Sequence, residues 1–203
     1  MALGDPYATL AELKTRLSNL DDMTQYDDLL EGALDSVSRE IESHCGRQFN
    51  STDTATVRDY GPDEVFTLRE GPAVSQWARV DDFHSVTGLV IESEGATWTA
   101  DDFVLHPRNG VIDGQPGWPY YEVHAASSLS FSTGLSVTAK WGWAAVPAPV
   151  KQACLIMAAE TFQIKDAPFG VAGMDQFGAI RVRDNRMAAA KLSRYCRDPI
   201  RVR

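Results

Sequence analysis

Two hydrophobic periods meet in the C-terminal part of the chain. Leu135, Val137, Ala139, Trp141 and Trp143 alternate with Ser136, Thr138, Lys140 and Gly142, the period-two pattern of a strand with one buried face. Just downstream, Val150, Cys154, Met157 and Thr161 recur at helical spacing, and Ala153, Leu155, Ile156, Ala158 and Phe162 widen that apolar surface. Pro147 and Pro149 mark the switch. Pro149 suits a first helical turn, because the N–H it lacks would have no intrahelical acceptor and its φ is already helical. The pattern predicts a strand over 135–143, a tight turn, and a largely buried helix over 149–164, about four turns at 3.6 residues per turn. Trp141, Trp143, Pro149 and Cys154 are expected to be scaffold. A helix this apolar needs other helices to cover it.

Two such helices are predicted upstream, after a loose arm over residues 1–8. Thr9-Leu-Ala-Glu12 is a capping box, and Leu10, Leu13, Leu17 and Leu20 give a short helix. Thr24 is expected to cap the second helix, with Asp27 and Asp28 near the positive end of its dipole. Its buried stripe is Leu30, Leu34, Val37, Ile41 and Cys45, flanked by Leu29 and Ala33, and Gly46 stops it. At about 20 residues it is long enough to lie along the 149–164 helix.

Residues 50–143 change character. Val, Thr, Phe, Tyr and Trp rise, and turn signals fall at Gly61-Pro62, Gly71-Pro72, Asn109-Gly110 and 113–117. Strands are predicted over 55–60, 64–69, 86–92, 102–106, 120–125 and 135–143. Residues 166–180 lack periodicity and read as a loop. Asp184 or Asn185 then caps a last helix with Met187, Ala188, Lys191, Leu192 and Tyr195 on one side. At about 12 residues it is marginal alone, so it docks on its own chain or on another. The fold class is α+β: a bundle of three to four helices with an inserted antiparallel β subdomain and a C-terminal docking arm. Residues 1–49 supply the N-terminal helices, 50–144 the β subdomain, 145–165 the central bundle helix, and 166–203 a loop with a basic helix or tail.

Charge sharpens this picture more than bulk composition does. Residues 1–175 hold 11 Lys and Arg against 26 Asp and Glu, whereas residues 176–203 hold 8 against 2. An acidic body with a basic tail points to two surfaces with different partners. The tail's basic residues are interleaved with Ile180, Val182, Met187, Leu192 and Tyr195, which favours a docking segment over a solvated end or a simple phosphate-binding tail. Cys45, Cys154 and Cys196 are odd in number and form no CxxC pair, which argues against a disulfide framework or zinc site and suits a reducing compartment. No apolar run approaches the length of a membrane span, and no secretory leader is evident.

Candidate chemistry is sparse. His44, His84, His106 and His124 lie in four different predicted elements, without helix-borne zinc spacing. Nucleophile-elbow and phosphate-cradling motifs are missing. Asp pairs occur at 21–22, 27–28, 81–82 and 101–102; the first two flank a helix start and the last two are expected at strand or turn edges, so capping and solvation explain them better than metal binding. Trp141 and Trp143 are two residues apart, so they are expected to share a strand face. Stacking on nucleic acid bases is one use for such a pair, but packing is the stronger reading. Cys154 has no evident partner to activate it. No catalytic, cofactor-binding or metal residue is expected, and the chain does not read as an enzyme.

In order along the chain, YATLAELKTRL, IESHCGRQF, TATVRDYGP, TADDFVLHPRNG, VTAKWGWAAVPAPVKQACLIMAAETF, APFGVAGMDQFGAIRV and LSRYCRD resemble the head–tail connector (adaptor) proteins of long-tailed bacteriophages. The resemblance spans nearly the whole chain. It implies a structural virion protein of the neck, assembled in the host cytoplasm. Such proteins form a ring, usually of twelve subunits, below the portal protein, and can be monomeric alone. The ring extends the DNA channel and offers a platform to the next neck, stopper or tail protein. The C-terminal segment of relatives reaches the portal, which makes Arg181, Arg183, Arg186, Lys191, Leu192, Arg194, Tyr195 and Arg197 portal-docking candidates. Acidic residues around a channel let DNA slide past without adhering, and Glu31, Asp35 and Glu42 are channel-lining candidates. The β insert is large beside those of the leanest members. The alternatives are another neck or tail-completion ring protein, such as a stopper or tail terminator, and a nucleic-acid-binding protein that uses the basic tail.

Overall fold

A computed structural model of the protein describes residues 2–17, 23–70, 73–126, 129–131, 134–163 and 185–197. The fold is mixed α+β, with four α-helices and antiparallel sheets among these residues. The chain forms two compact units. One takes Leu3–Phe49 and the chain from Val146 onward; the other takes Asn50–Ala145.

The helical unit holds α1 (Leu10–Leu17), α2 (Asp27–Cys45), α3 (Ala148–Gln163) and α4 (Arg186–Leu192). The capping box at α1 is formed: the Thr9 amide and hydroxyl donate to Glu12 Oε2 at 2.9 and 3.0 Å, and the Glu12 amide donates to Thr9 Oγ1 at 3.3 Å. Thr24 does not cap α2. The chain tightens into a 3-10 turn over Thr24–Tyr26, the Asp27 amide donates to the Thr24 carbonyl, and α2 begins at Asp27 with no side-chain cap. That backbone bond satisfies a donor the hydroxyl was expected to serve. Gly46 stops α2 in the left-handed conformation, φ +61°. The stripe Leu30, Leu34, Val37, Ile41 and Cys45 is buried with Ala33, whereas Leu29 is 49% exposed.

Residues before α1 are anchored, not loose. Tyr7 is fully buried. Its amide donates to Ser38 Oγ at 3.0 Å, its hydroxyl donates to Glu42 Oε1 at 2.7 Å, and the Phe49 amide donates to that hydroxyl at 3.1 Å. α3 packs against α1, α2 and α4, and Val150, Ala153, Cys154, Ile156, Met157, Ala158, Ala159 and Phe162 are buried. A helix apolar on nearly all sides is stable only when covered this way. Pro149 lies in its first turn as expected.

The β unit contains β1 (Thr56–Tyr60), β2 (Val65–Glu70), β3 (Ala73–Ser93), β4 (Ala96–Trp98), β5 (Phe103–His106), β6 (Val111–Ile112), β7 (Gln115–Pro116), β8 (Tyr120–Ala125) and β9 (Leu135–Trp141). The main sheet runs β1-β9-β3-β8-β5, with β2 and β4 also paired to β3, and every pairing is antiparallel. β6 and β7 form a separate ribbon. Tyr60, Ala78, Val80, Phe83, Ile91, Val123, Phe131, Leu135, Val137, Ala139 and Trp141 make the core.

Two sequence expectations are corrected here. The predicted strand 86–92 is only the end of β3, a 21-residue strand that pairs with β2, β4, β8 and β9. Its register shifts between Arg79 and Phe83 and again before Val90, and such bulges break the alternation that a period-two reading needs. Asp81 and Asp82 therefore lie inside a strand, not at its edge. The second correction concerns the Trp pair. β9 ends at Trp141, because Gly142 takes φ +88° and forms only an isolated bridge with Ser51. A Cβ on Gly142 would overlap the Asn50 carbonyl, so the chain comes too close there for any other residue. The two indoles consequently join different neighbours: Trp141 meets Tyr60 and Phe83, while Trp143 meets Trp118.

Candidate functional surfaces

Buried polar groups in both units serve the fold. In the β unit, Asp82 is 5% exposed and accepts the Trp143 indole N–H at 3.0 Å. Its neighbour Asp81 accepts Arg58 at 2.6 Å and the Tyr60 hydroxyl at 3.1 Å, and the Arg58 guanidinium lies 4.5 Å from the centre of a Trp141 ring. Asp102 accepts the Thr99 amide and hydroxyl, both at 2.7 Å, which holds its carboxyl below the usual range. Asp27 pairs with Lys14 at 2.5 Å. The pair 21–22 lies outside the described residues. Each described Asp pair thus has a member committed to a turn, a bulge or an ion pair.

Histidine and cysteine chemistry resolves in the same way. His106 and His124 face each other across β5 and β8 with ring centres 4.2 Å apart, and His124 Nε2 is 3.1 Å from Glu122 Oε2. Burial and then the neighbouring His124 hold His106 below its ordinary value, and the His124 hydrogen bond holds Glu122 below its own. Sequence spacing could not find this cluster, since only the register of β5 on β8 assembles it. Cys154 is fully buried, its sulfur 3.6 Å from Ser38 Oγ, and burial pushes its thiol up to about 11. A thiol so placed is not a poised nucleophile. Among the described residues no group of three or more His, Cys, Asp or Glu is placed to hold a metal ion, and no helix is long and apolar enough to cross a membrane.

The outward faces carry the remaining candidates. On α2, Asp28, Glu31 and Asp35 are exposed along one side, as spacings of three and four dictate. Asp35 is 3.9 Å from Arg39. Glu42 is different: it accepts Tyr7 and lies 3.1 Å from Arg39, with its side chain 15% exposed. On α4, Asn185 Oδ1 accepts the Ala188 amide at 2.8 Å as the cap, and Asn185 Nδ2 donates to Glu160 at 2.6 Å. Ala188 and Leu192 are fully buried. Tyr195 meets the Phe49 ring edge-on at 6.2 Å, Lys191 donates to Gln152 at 2.9 Å, and the Arg197 amide donates to the Cys45 carbonyl at 2.9 Å. Arg186, Met187 and Arg194 are exposed. Arg181 and Arg183 lie outside the described residues. In the β unit a groove of about 740 Å³ is lined by Val86, Trp98, Phe103, Val104, Arg108 and Tyr120, among others.

The described residues thus define an α+β protein whose polar interior is structural and whose outward faces are charged. No protein-family model matches the chain, and no curated protein matches it. Two solved assemblies contain chains of similar fold. One is the neck of an empty gene transfer agent particle, computed with C6 symmetry: the TM-score is 0.50 at 19% identity, over 98% of this chain and 93% of that one. The other is the virion of a native gene transfer agent particle, with a TM-score of 0.53 at 16% identity over the same shares of the two chains, 98% and 93%. At these identities the likeness is one of fold, and it extends through both units.

Proposed function

We propose that the chain is a structural protein of a virion neck, and more narrowly a head-to-tail adaptor. Copies form a ring under the portal protein, extend the DNA channel, and present a platform to the next neck, stopper or tail protein. The observation that carries this reading is the end-to-end fold likeness to chains of a neck and a virion, joined to the ordered adaptor-like segments of the sequence. The sixfold symmetry of that neck suits a ring of six or of twelve, and the adaptor resemblance favours twelve. The protein is monomeric until the portal templates the ring, and assembly takes place in the host cytoplasm.

Within this reading the acidic side of α2 faces DNA and repels it. Glu31 and Asp35 have outward carboxylates for that purpose; Glu42 contributes through the Arg39 and Tyr7 network. The portal contact falls to the basic residues of the C-terminal region, Arg181, Arg183, Arg186, Lys191, Arg194 and Arg197, of which Arg186 and Arg194 are exposed. Leu192 and Tyr195 seat α4 so that these groups are presented.

The test is to mix the full chain with its portal and image the product. A closed ring of this chain on the portal is the expected result, and the charge-reversed triple variant R181E/R183E/R186E should lose it while keeping the wild-type melting temperature. Binding to the tail tube in place of the portal would make the chain a terminator. A chain that joins neither but shifts DNA on a gel at low salt would be a nucleic-acid-binding protein instead.

A further inference from the structure

Cys45 ends α2, and Cys196 follows α4 at the other end of the sequence. The backbone brings them together. The Arg197 amide donates to the Cys45 carbonyl at 2.9 Å, and Arg197 Cβ would lie 3.9 Å from a Cβ on Gly46. The two thiols interact electrostatically, and Cys196 Sγ donates to the Leu192 carbonyl at 3.4 Å. Cys45 is buried and Cys196 half-buried. That bond joins the peptide group between Cys45 and Gly46 to the one between Cys196 and Arg197, and α-carbons flanking two peptide groups joined this way lie near the spacing a disulfide spans, roughly 4.4–6.8 Å. Cys154 belongs elsewhere, against Ser38.

We propose that Cys45 and Cys196 form an intrachain disulfide when the protein meets a disulfide oxidant, tying the residues after α4 to the C-terminal end of α2. The chemistry is thiol–disulfide exchange. The more accessible Cys196 loses its proton and attacks one sulfur of a small-molecule disulfide such as oxidised glutathione. A mixed disulfide forms, and one glutathione leaves as thiolate and takes up a proton. Cys45 then loses its proton and gives its electron pair to the Cys196 sulfur, expelling the second glutathione thiolate. Two protein thiols are oxidised and one small-molecule disulfide is reduced to two thiols. Cys196 is the more accessible of the two, and the interaction between the thiols lowers Cys196 and raises Cys45, in keeping with Cys196 attacking first. In a thiol-buffered compartment the pair stays reduced, so the bond belongs to the protein in an oxidising medium. The inference concerns the helical unit alone and does not rest on the adaptor reading.

The full chain is incubated with oxidised glutathione, unfolded, and treated with N-ethylmaleimide. Wild type should lose two hydrogens, take up maleimide only on Cys154, and yield a Cys45–Cys196 linked peptide after digestion. C196S should keep both of its thiols available to maleimide. In the oxidised protein, exchange of the Arg197 amide should slow by about tenfold or more, since a crosslink removes the opening of this contact, and a phosphine reductant should restore it. Three maleimide-labelled cysteines in oxidised wild type, glutathione retained on Cys196, or a link through Cys154 or to a second chain would each overturn the proposal.

Discussion

Leu192→Ala separates the two roles open to α4, a part of the chain's own body or an element held in reserve for a partner. Leu192 is fully buried, so truncation costs about 2–5 kcal/mol in lost contacts and cavity. α4 has seven residues, too few to be helical alone, so the loss falls on its docking. What remains is buried Ala188, the Asn185 cap and its bond to Glu160, the Lys191 bond to Gln152, and the Arg197 amide bond to Cys45. Each such hydrogen bond nets only about 0.5–1.5 kcal/mol. A loss of about 3 kcal/mol shifts docking by roughly a hundredfold. Amide hydrogen exchange reads this directly. The amides of Ala189, Ser193, Cys196 and Arg197 donate to Asn185, Ala189, Leu192 and Cys45, and all four should exchange roughly a hundredfold faster in the variant. Amides of α2 should change far less. If these four keep wild-type protection while the whole chain melts earlier, α4 is not a separately docked element. The same structure warns against a simpler experiment: deleting residues 176–203 strips Leu192 and Ala188 from the core, so a truncated protein would confound lost docking with lost stability.

Two further outcomes test the β unit. Trp143→Phe removes an N–H from a buried carboxylate, Asp82, and should destabilise the protein by about 1.5–3 kcal/mol in denaturant titration; a change below about 0.5 kcal/mol, the surface-substitution range, would mean the indole bond is incidental. Stability should also fall on acidification. His106 is held below its ordinary 6.5 by burial, by His124 and by Arg108, with Glu122 opposing. The fold therefore binds the proton less well than the unfolded chain, and stability declines as pH drops below 6.5 until the folded form also protonates. Glu122, held below its ordinary 4.5 mainly by His124 and helped by Arg79 and His106, contributes stability that is lost on further acidification through its folded value. His106→Gln should flatten the upper part of this decline in melting temperature against pH; an unchanged slope between pH 7 and 5 would remove His106 from the account.

Helical periodicity was legible because it is local. The α2 stripe, its Gly46 stop, the α1 capping box, the apolar α3 and the Asn185 cap each depend on residues within a few positions of one another. The antiparallel β character of residues 50–143 was equally plain in composition and turn signals. What failed was nonlocal. β3 could not be read past its bulges, since Asp81 and Asp82 look like a turn until Arg58, Tyr60 and Trp143 supply their partners. Tyr7 looked like part of a loose arm because its three hydrogen-bond partners, Ser38, Glu42 and Phe49, lie 31 to 42 residues away. The His106–His124 contact and the Cys45–Cys196 contact have the same cause. At the level of candidate surfaces, the acidic α2 positions were visible, but nothing in the sequence distinguished open Glu31 from Glu42, which Tyr7 and Arg39 engage.

That distinction bears on what the charge imbalance means. A formal charge of −9 says little about a surface until the charges used by the fold are set aside. Glu12 is engaged by Lys151, Asp27 by Lys14, Asp81 by Arg58 and Glu42 by Arg39. These pairs position α1, α2 and β1, and their fields largely cancel beyond a Debye length of about 8 Å at physiological salt. Among the exposed acids that remain, Asp28 and Glu31, with Asp35 at the edge of an ion pair, share one side of a 19-residue helix. A single such helix is a weak electrostatic object. In the ring proposed above, the same short stripe would become a continuous acidic band whose repulsion of phosphate grows with every copy. Within the proposed ring, the imbalance therefore makes physical sense as the property of an assembly and not of one chain.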